Sequence, residues 1–259
     1  MTILYEDNHI IIVNKAPGEI VQGDKTGDVT LADTVKQYIK EKYAKPGAVF
    51  LGVVHRLDRP VSGIVVFART GKALARLNEM FRAGNIHKTY HAIVSSTPID
   101  NDGGRRETAG QAIAALSTNW QTLDHWLTRN ERQNRAYAHA TEVPNSKHAL
   151  LDYRTIGRSD RYTLLEICLR TGRHHQSRCQ LAATGLPIRG DLKYGAPRSN
   201  PDGSICLHAR HIEFEHPVSH KPVCATAPYP ALPLWRVFAQ KDSDRPAEEP
   251  AQVSQKDEA

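Results

Sequence analysis

Two short runs of consecutive apolar residues constrain the fold of this chain most strongly. Residues 10–13 are all β-branched and lie between Asn8 and Asn14, and residues 63–68 form a second apolar run. Runs of this length are typical of buried strands, and they are far shorter than the roughly 18 apolar residues of a membrane helix. Both runs therefore predict strands of a buried sheet in a protein without a membrane span.

Amphipathic patterns predict helices beside these strands. Leu31, Val35 and Ile39 are spaced four apart after Thr30, a suitable N-cap, and predict a helix over about 31–43. A second helix is expected from about 72 to 82, where Gly84 ends it. Further strands are predicted at 149–156, 162–169, 206–214 and 223–227. Strands joined by turns as often as by helices predict an α+β fold: a mixed, largely antiparallel sheet flanked by helices and loops.

Composition sets the domain limits and the expected partner. We expect one domain over 1–238 and a disordered charged tail over 239–259, where almost no residue is apolar. The polar, Gly-rich stretch 97–119 predicts an exposed loop. The whole chain carries a formal charge of +6 although the tail is acidic, so the body is more basic than the total and suits a polyanion.

Cysteine spacing and the N-terminal sequence narrow the function classes. The four cysteines form no C-x-x-C pair, so neither a zinc site nor a redox pair is expected. The first residues lack the basic and apolar segments of a signal peptide, which predicts a cytoplasmic protein.

Residues 52–63 concentrate charge between two apolar strands. The run His55-Arg56-Leu57-Asp58-Arg59 places two arginines, a histidine and a carboxylate within five residues. A solvated ion pair on a surface turn is one interpretation of these residues alone. The other is a catalytic loop whose carboxylate is Asp58.

A second polar segment favours the catalytic interpretation. Residues 169–178 follow a predicted strand and lead into a helix that ends near Gly185. They contain Arg173 and Arg178, which lie five apart and can face different groups across the turn. An arginine beside Asp58 would keep that carboxylate ionised and orient it.

Together with residues 14–18, 88–90, 187–191 and 207–209, these segments resemble the RluA-type pseudouridine synthases. The resemblance spans roughly residues 3–230, and its motifs are long and ordered along the chain. The departures are Ala16 for proline, Val61 for threonine, Ser177 for isoleucine and Gln180 for histidine. None of them removes a group that the reaction needs.

The resemblance implies a pseudouridine synthase fold and roles for particular residues. Asp58 is the catalytic aspartate of H-R-L-D, and Arg178 is the arginine that pairs with it. Tyr90 is the tyrosine of K-x-Y that packs against the uracil ring, and Arg56 helps to displace the target base. RNA-binding roles are expected for His55, Arg56, Arg59, Lys88 and Arg173.

The implied reaction needs no cofactor and no metal. The bond from uracil N1 to ribose C1′ breaks and C5 joins C1′, without a net change in redox state. A carboxylate can attack C1′, add to C6 or remove a proton at C2′, and the sequence leaves all three routes open. The target base must leave the stack, so a loop or weak pair in ribosomal or transfer RNA is the expected substrate of a monomeric enzyme.

Two other classes stay open at this point. A non-catalytic RNA-binding protein on the same fold would not need Asp58 and Arg178 together. A glycosidase usually needs two carboxylates across the scissile bond, and Glu166 and Asp191 lack a matching motif for that role.

Overall fold

The computed structural model describes residues 1–23, 27–96 and 116–242. Eleven strands form one sheet. They are β1 (Thr2–Glu6), β2 (Ile10–Lys15), β3 (Gly52–Val53), β4 (Ser62–Ala68), β5 (His87–Ser95), β6 (Gln121–Asn130), β7 (Arg135–His139), β8 (Lys147–Arg158), β9 (Tyr162–Leu169), β10 (Leu207–Glu215) and β11 (Pro222–Thr226). The helices are α1 (Leu31–Lys42), α2 (Gly71–Ala83), α3 (Gln176–Ala183) and α4 (Pro233–Asp242), with a 3₁₀ turn at Leu192–Tyr194.

The two apolar runs form the predicted buried strands. All seven residues of β4 are buried, as are the four residues 10–13 of β2. The strands pair antiparallel, from Ile10 opposite Ala68 to Lys15 opposite Gly63. The expectation of buried strands is therefore confirmed for both runs.

Local sequence signals define the first two helices. Thr30 caps α1 and exchanges hydrogen bonds with Asp33 in a capping box, which satisfies donors that a helix N-terminus leaves free. Thr70 caps α2, and Gly84 ends it in the left-handed conformation with φ of 78°. Both helices lie within one or two residues of their predicted limits.

The sheet confirms the mixed, largely antiparallel expectation. Its strand order is β1-β2-β4-β10-β5-β9-β8-β6-β7, with β3 on β4 and β11 on β10. The pairing of β4 with β10 is parallel, at Ser62 opposite His208 and Gly63 opposite Ala209, whereas the other pairs are antiparallel. Strand β10 therefore lies between β4 and β5, which precede it in the chain.

Some elements differ from the sequence-based expectation. The hairpin of β6 and β7 was not predicted, because buried and exposed residues alternate only weakly along its two strands. Helix α4 crosses the expected boundary at residue 238, and its Trp235 and Phe238 are fully buried in the core. Residues 97–115 of the predicted loop and 243–259 of the predicted tail lie outside the described residues. No helix in the described ranges is long and apolar enough to cross a membrane.

Candidate active site

The loop that carries Asp58 joins β3 to β4 and is fixed at its start by His55. The Nε2 atom of His55 accepts a hydrogen bond from the backbone N–H of Val66 at 3.0 Å, and its ring packs on Phe81 at 4.9 Å between centroids. Burial, with a smaller contribution from the charge of Lys88, lowers the pKa of His55 to about 3. The imidazole is therefore neutral and can act as this acceptor.

The end of the same loop is held by a buried lysine. Lys15 is 1% exposed, and its Nζ donates to the carbonyl oxygens of Ala16 at 3.0 Å, Arg59 at 3.1 Å and Val61 at 2.6 Å. At the next residue, the Ser62 hydroxyl lies 2.8 Å from Nδ1 of His208 on β10. The loop is thus tied to both neighbouring strands of β4, and its position is set by the core of the sheet.

Asp58 meets a buried arginine that a second carboxylate holds. The Nη1 atom of Arg178, on α3, donates to Oδ2 of Asp58 at 2.9 Å. The other edge of the guanidinium donates to both oxygens of Asp191, from Nε at 2.7 Å and from Nη2 at 2.9 Å. Side-chain exposure is 6% for Arg178 and 1% for Asp191, against 29% for Asp58. Asp58 is the member of this cluster that a substrate can reach.

Tyr194 and His175 complete the surroundings of this cluster. The Tyr194 ring lies beneath the guanidinium, 5.1 Å from its central carbon, and the Tyr194 hydroxyl is 3.0 Å from Nδ1 of His175. Nε2 of His175 lies 3.4 Å from Oδ2 of Asp58. Arg178 and His175 thus both approach Oδ2 of Asp58, and in the described part of the chain Oδ1 has no hydrogen-bond or ion-pair partner.

Tyr90 lies on β5, opposite Ala209 of β10 and Ile167 of β9. It is 7% exposed, and burial together with the negative charge of Asp58 raises the pKa of its hydroxyl. The phenol is therefore protonated in the folded protein. The structure thus brings together Asp58, Arg178 and Tyr90, the three expected catalytic side chains.

The five expected RNA-binding side chains occupy different environments. Arg56 is exposed beside Asp58, and Arg59 pairs with Asp28 at 3.0 Å on the surface. Lys88 lies over the same Phe81 ring that contacts His55, with Nζ 5.1 Å from its centroid. Exposed Arg173 donates from Nε to the His148 carbonyl at 2.9 Å. His55 and Lys88 thus contact other groups of the protein, whereas the three arginines lie at the surface.

The sequence did not identify the residues that surround the ion pair. Asp191 was considered only as a second carboxylate of a glycosidase, and no role was assigned to His175, Tyr194 or Lys15. Both oxygens of buried Asp191 are bound by Arg178, so this group is not free to act on a sugar. Glu166 pairs with Arg154 at 2.6 Å on the sheet. Neither carboxylate supports the glycosidase interpretation.

Among the residues that the structure describes, no three His, Cys, Asp or Glu side chains form a group that could hold a metal ion.

Comparison with known proteins identifies the family. Residues 9–183, which include Asp58, Tyr90 and Arg178, match the family model described as RNA pseudouridylate synthase. Ribosomal large subunit pseudouridine synthase D of Xanthomonas campestris is 33% identical over 96% of this chain and 72% of its own length. tRNA pseudouridine synthase C of Pectobacterium carotovorum is 29% identical over 89% of this chain and 60% of its own length. This chain is thus shorter than both relatives.

A solved structure shares the fold. Human RNA Pseudouridylate Synthase Domain Containing 4 superposes with a TM-score of 0.67 at 20% identity, over 89% of each chain. The α+β architecture with its mixed sheet is therefore that of the pseudouridine synthases. From its sequence match, its fold and its site, the chain belongs to the RNA pseudouridylate synthase family, whose members isomerise uridine to pseudouridine in RNA.

Proposed function

We propose that this enzyme modifies specific uridines in ribosomal or transfer RNA and that Asp58 is its catalytic carboxylate. The observation that carries the proposal is that the two oxygens of the Asp58 carboxylate have different surroundings. Oδ2 is bound by a buried guanidinium, while the side chain remains 29% exposed at the base of a charged surface loop. A carboxylate held by one oxygen in this way presents its other oxygen to a substrate.

The remaining groups suit an extruded uridine. Tyr90 offers a flat aromatic ring with a protonated hydroxyl. The ring is near enough to Asp58 for the charge of that carboxylate to raise the pKa of the hydroxyl. Stacking of a base on such a ring is worth about 1–3 kcal/mol, which offsets part of the cost of taking the base out of the RNA helix. Arg56 is exposed two residues before Asp58, and we assign it the role of filling the space that the base leaves.

One ionised oxygen serves each of the three routes to the product. It can form a bond to C1′ as the N1–C1′ bond breaks, add to C6 of the uracil, or remove the proton at C2′. Every route ends with a C5–C1′ bond, loss of the proton from C5 and protonation of N1, so atoms balance without a cofactor. We assign Arg178 the role of holding and orienting Asp58 through these steps.

The relatives indicate the substrate class. The names of the two bacterial relatives refer to the large ribosomal subunit and to tRNA. The formal charge of +6 on this chain suits phosphate contacts, which position an RNA without reading its sequence. We infer a structured RNA of one of these two classes as substrate, and a monomeric enzyme that acts in the cytoplasm.

Pseudouridine mapping of total RNA tests the proposal. Cells that lack this gene are complemented with the wild-type chain or with Asp58→Asn, and each lost site is scored. We expect at least one site in ribosomal or transfer RNA that only the wild-type chain restores, while purified Asp58→Asn keeps its RNA affinity. A site restored by Asp58→Asn would contradict the role of Asp58. A purified wild-type enzyme that is inactive on total RNA would contradict the substrate class.

A further inference from the structure

His175 bridges Asp58 and Tyr194 in a part of the site to which the proposed function assigns no role. It is 8% exposed, with Nδ1 3.0 Å from the Tyr194 hydroxyl and Nε2 3.4 Å from Oδ2 of Asp58. The second distance is longer than a well-formed hydrogen bond, as is common for catalytic contacts before substrate binds. The three side chains nevertheless form a continuous polar line that ends on the reactive carboxylate.

The neighbours of Tyr194 and His175 favour one direction of hydrogen bonding along this line. The N–H of Ala136, on β7, donates to the Tyr194 hydroxyl oxygen at 2.8 Å. A phenol has one proton of its own, and the recorded acceptor next to it is Nδ1 of His175. If Tyr194 donates to Nδ1, the proton of the neutral imidazole must be on Nε2. Nε2 lies 3.4 Å from an oxygen of Asp58, and a carboxylate oxygen accepts hydrogen bonds, so an N–H on Nε2 is the tautomer that suits both neighbours of the ring.

The imidazole is neutral in this environment. Burial lowers the pKa of His175 to about 3, aided by the charges of Arg178, His174 and Lys193 and opposed by that of Asp58. His174 stacks on the His175 ring with 3.8 Å between the centroids. His175 is therefore neutral near neutral pH and has one N–H to donate.

The backbone at His175 is in the left-handed region with φ of 54°, at the N-cap of α3. A non-glycine residue adopts this conformation at some energetic cost. The His175 side chain makes no capping hydrogen bond to the helix. The unusual backbone thus directs the ring toward Asp58 and Tyr194 instead of toward the helix end.

We propose that His175 and Tyr194 are positioning residues that hold Oδ2 of Asp58, so that Oδ1 is the oxygen that reacts with the uridine. The proposal rests on the proposed role of Asp58. A single donor would leave the carboxylate plane free to turn about the Cβ–Cγ bond. Arg178 Nη1 donates to Oδ2, and His175 Nε2 lies 3.4 Å from the same oxygen. Together the two groups restrict that rotation and keep the other oxygen directed outward.

Two substitutions separate positioning from folding. Tyr194→Phe removes the hydroxyl but keeps the ring beneath Arg178, and His175→Asn keeps a residue type that tolerates the left-handed backbone. We expect each to lower the single-turnover rate constant by about tenfold to a hundredfold, with the RNA dissociation constant unchanged. The double variant should be no slower than His175→Asn, because the two groups act in series.

Tyr153→Phe is the matched control. Tyr153 is 2% exposed, and its hydroxyl donates to Gln121 at 3.0 Å, so the change removes a buried tyrosine hydroxyl elsewhere in the sheet. Its single-turnover rate constant should stay within about twofold of wild type. Nitrogen-15 spectra of the imidazole provide a second readout: we expect the Nε2–H tautomer of His175 from about pH 5.5 to pH 8.

The outcomes distinguish this inference from the proposed function. An inactive wild-type enzyme or an active Asp58→Asn variant would overturn both. If the wild-type enzyme is active and Asp58→Asn is inactive, wild-type turnover in Tyr194→Phe and His175→Asn would overturn the positioning role alone. A loss of RNA affinity in place of turnover, or an Nδ1–H tautomer of His175, would also overturn it.

Discussion

Replacing Arg178 by methionine should lower both stability and activity, and the two losses should be separable. The guanidinium makes three hydrogen bonds, two to Asp191 and one to Asp58. Methionine is unbranched and of similar length, so it fills most of the same space and isolates the loss of charge. The substitution leaves the 1% exposed Asp191 carboxylate without a cation.

The expected cost follows from this burial. Removing one partner of a buried ion pair typically destabilises a protein by about 3–5 kcal/mol, because the other charge is left without compensation. The Arg154–Glu166 pair has side-chain exposures of 22% and 20%, which makes Arg154→Met a matched control. A partly solvated pair of that kind contributes about 0–1 kcal/mol.

A second substitution separates the two losses. Arg178→Met combined with Asp191→Asn removes the uncompensated charge, and we expect it to regain most of the lost free energy of unfolding. Activity should not return, because Asp58 still lacks its cation. Urea unfolding followed by far-UV circular dichroism measures stability, and single-turnover conversion of uridine measures activity.

Two results would refute this reasoning. One is a destabilisation by Arg178→Met no larger than that by Arg154→Met. The other is a double variant no more stable than Arg178→Met alone, which would mean that the Asp191 charge is not the source of the cost.

Three further changes test other parts of the site. Burial lowers the pKa of Lys15 to about 8 from 10.5, so the unfolded chain binds more protons between these values and the free energy of unfolding should rise with pH across that window. Lys15→Met should abolish this slope in urea unfolding. The raised pKa of Tyr90 predicts no ionisation of its hydroxyl up to about pH 10, and equal absorbance titrations at 295 nm of wild type and Tyr90→Phe below that pH would agree. In Gly63→Ala, with φ of 112° at Gly63, the new Cβ would overlap the Ala209 backbone. A cost above about 3 kcal/mol is expected, against less than about 1 kcal/mol for Gly71→Ala, which meets no atom within 4 Å.

Local sequence patterns predicted the strands and the helix that local interactions stabilise. The buried strands β2 and β4 follow from uninterrupted apolar residues, and α1 follows from its spacing and its Thr30 cap. The meeting of Asp58 with Arg178, which lie 120 residues apart, was expected from the motif resemblance and not from periodicity. Its presence in the structure supports the use of that resemblance.

Long-range burial explains what the sequence did not reveal. Asp191 looks like any acidic residue near a turn, and only the folded chain shows that both its oxygens bind Arg178. Helix α4 was missed because the acidic, Pro-rich tail dominates the local composition, although Trp235 and Phe238 are spaced to share one helix face. Both features depend on contacts that form only in the folded chain.

The position of β10 has a consequence for how the chain folds. Strands β1, β2 and β4 form one part of the sheet, and β5 to β9 form another. Among the strands of the described ranges, β10 alone pairs with both parts. During synthesis β10 emerges after both parts, so until residue 207 has left the ribosome each part has an unpaired edge. We expect β10 to insert between two preformed half-sheets late in folding. Chains that stop before it should aggregate through these edges, and Asp58 should reach its final surroundings only when that strand has docked.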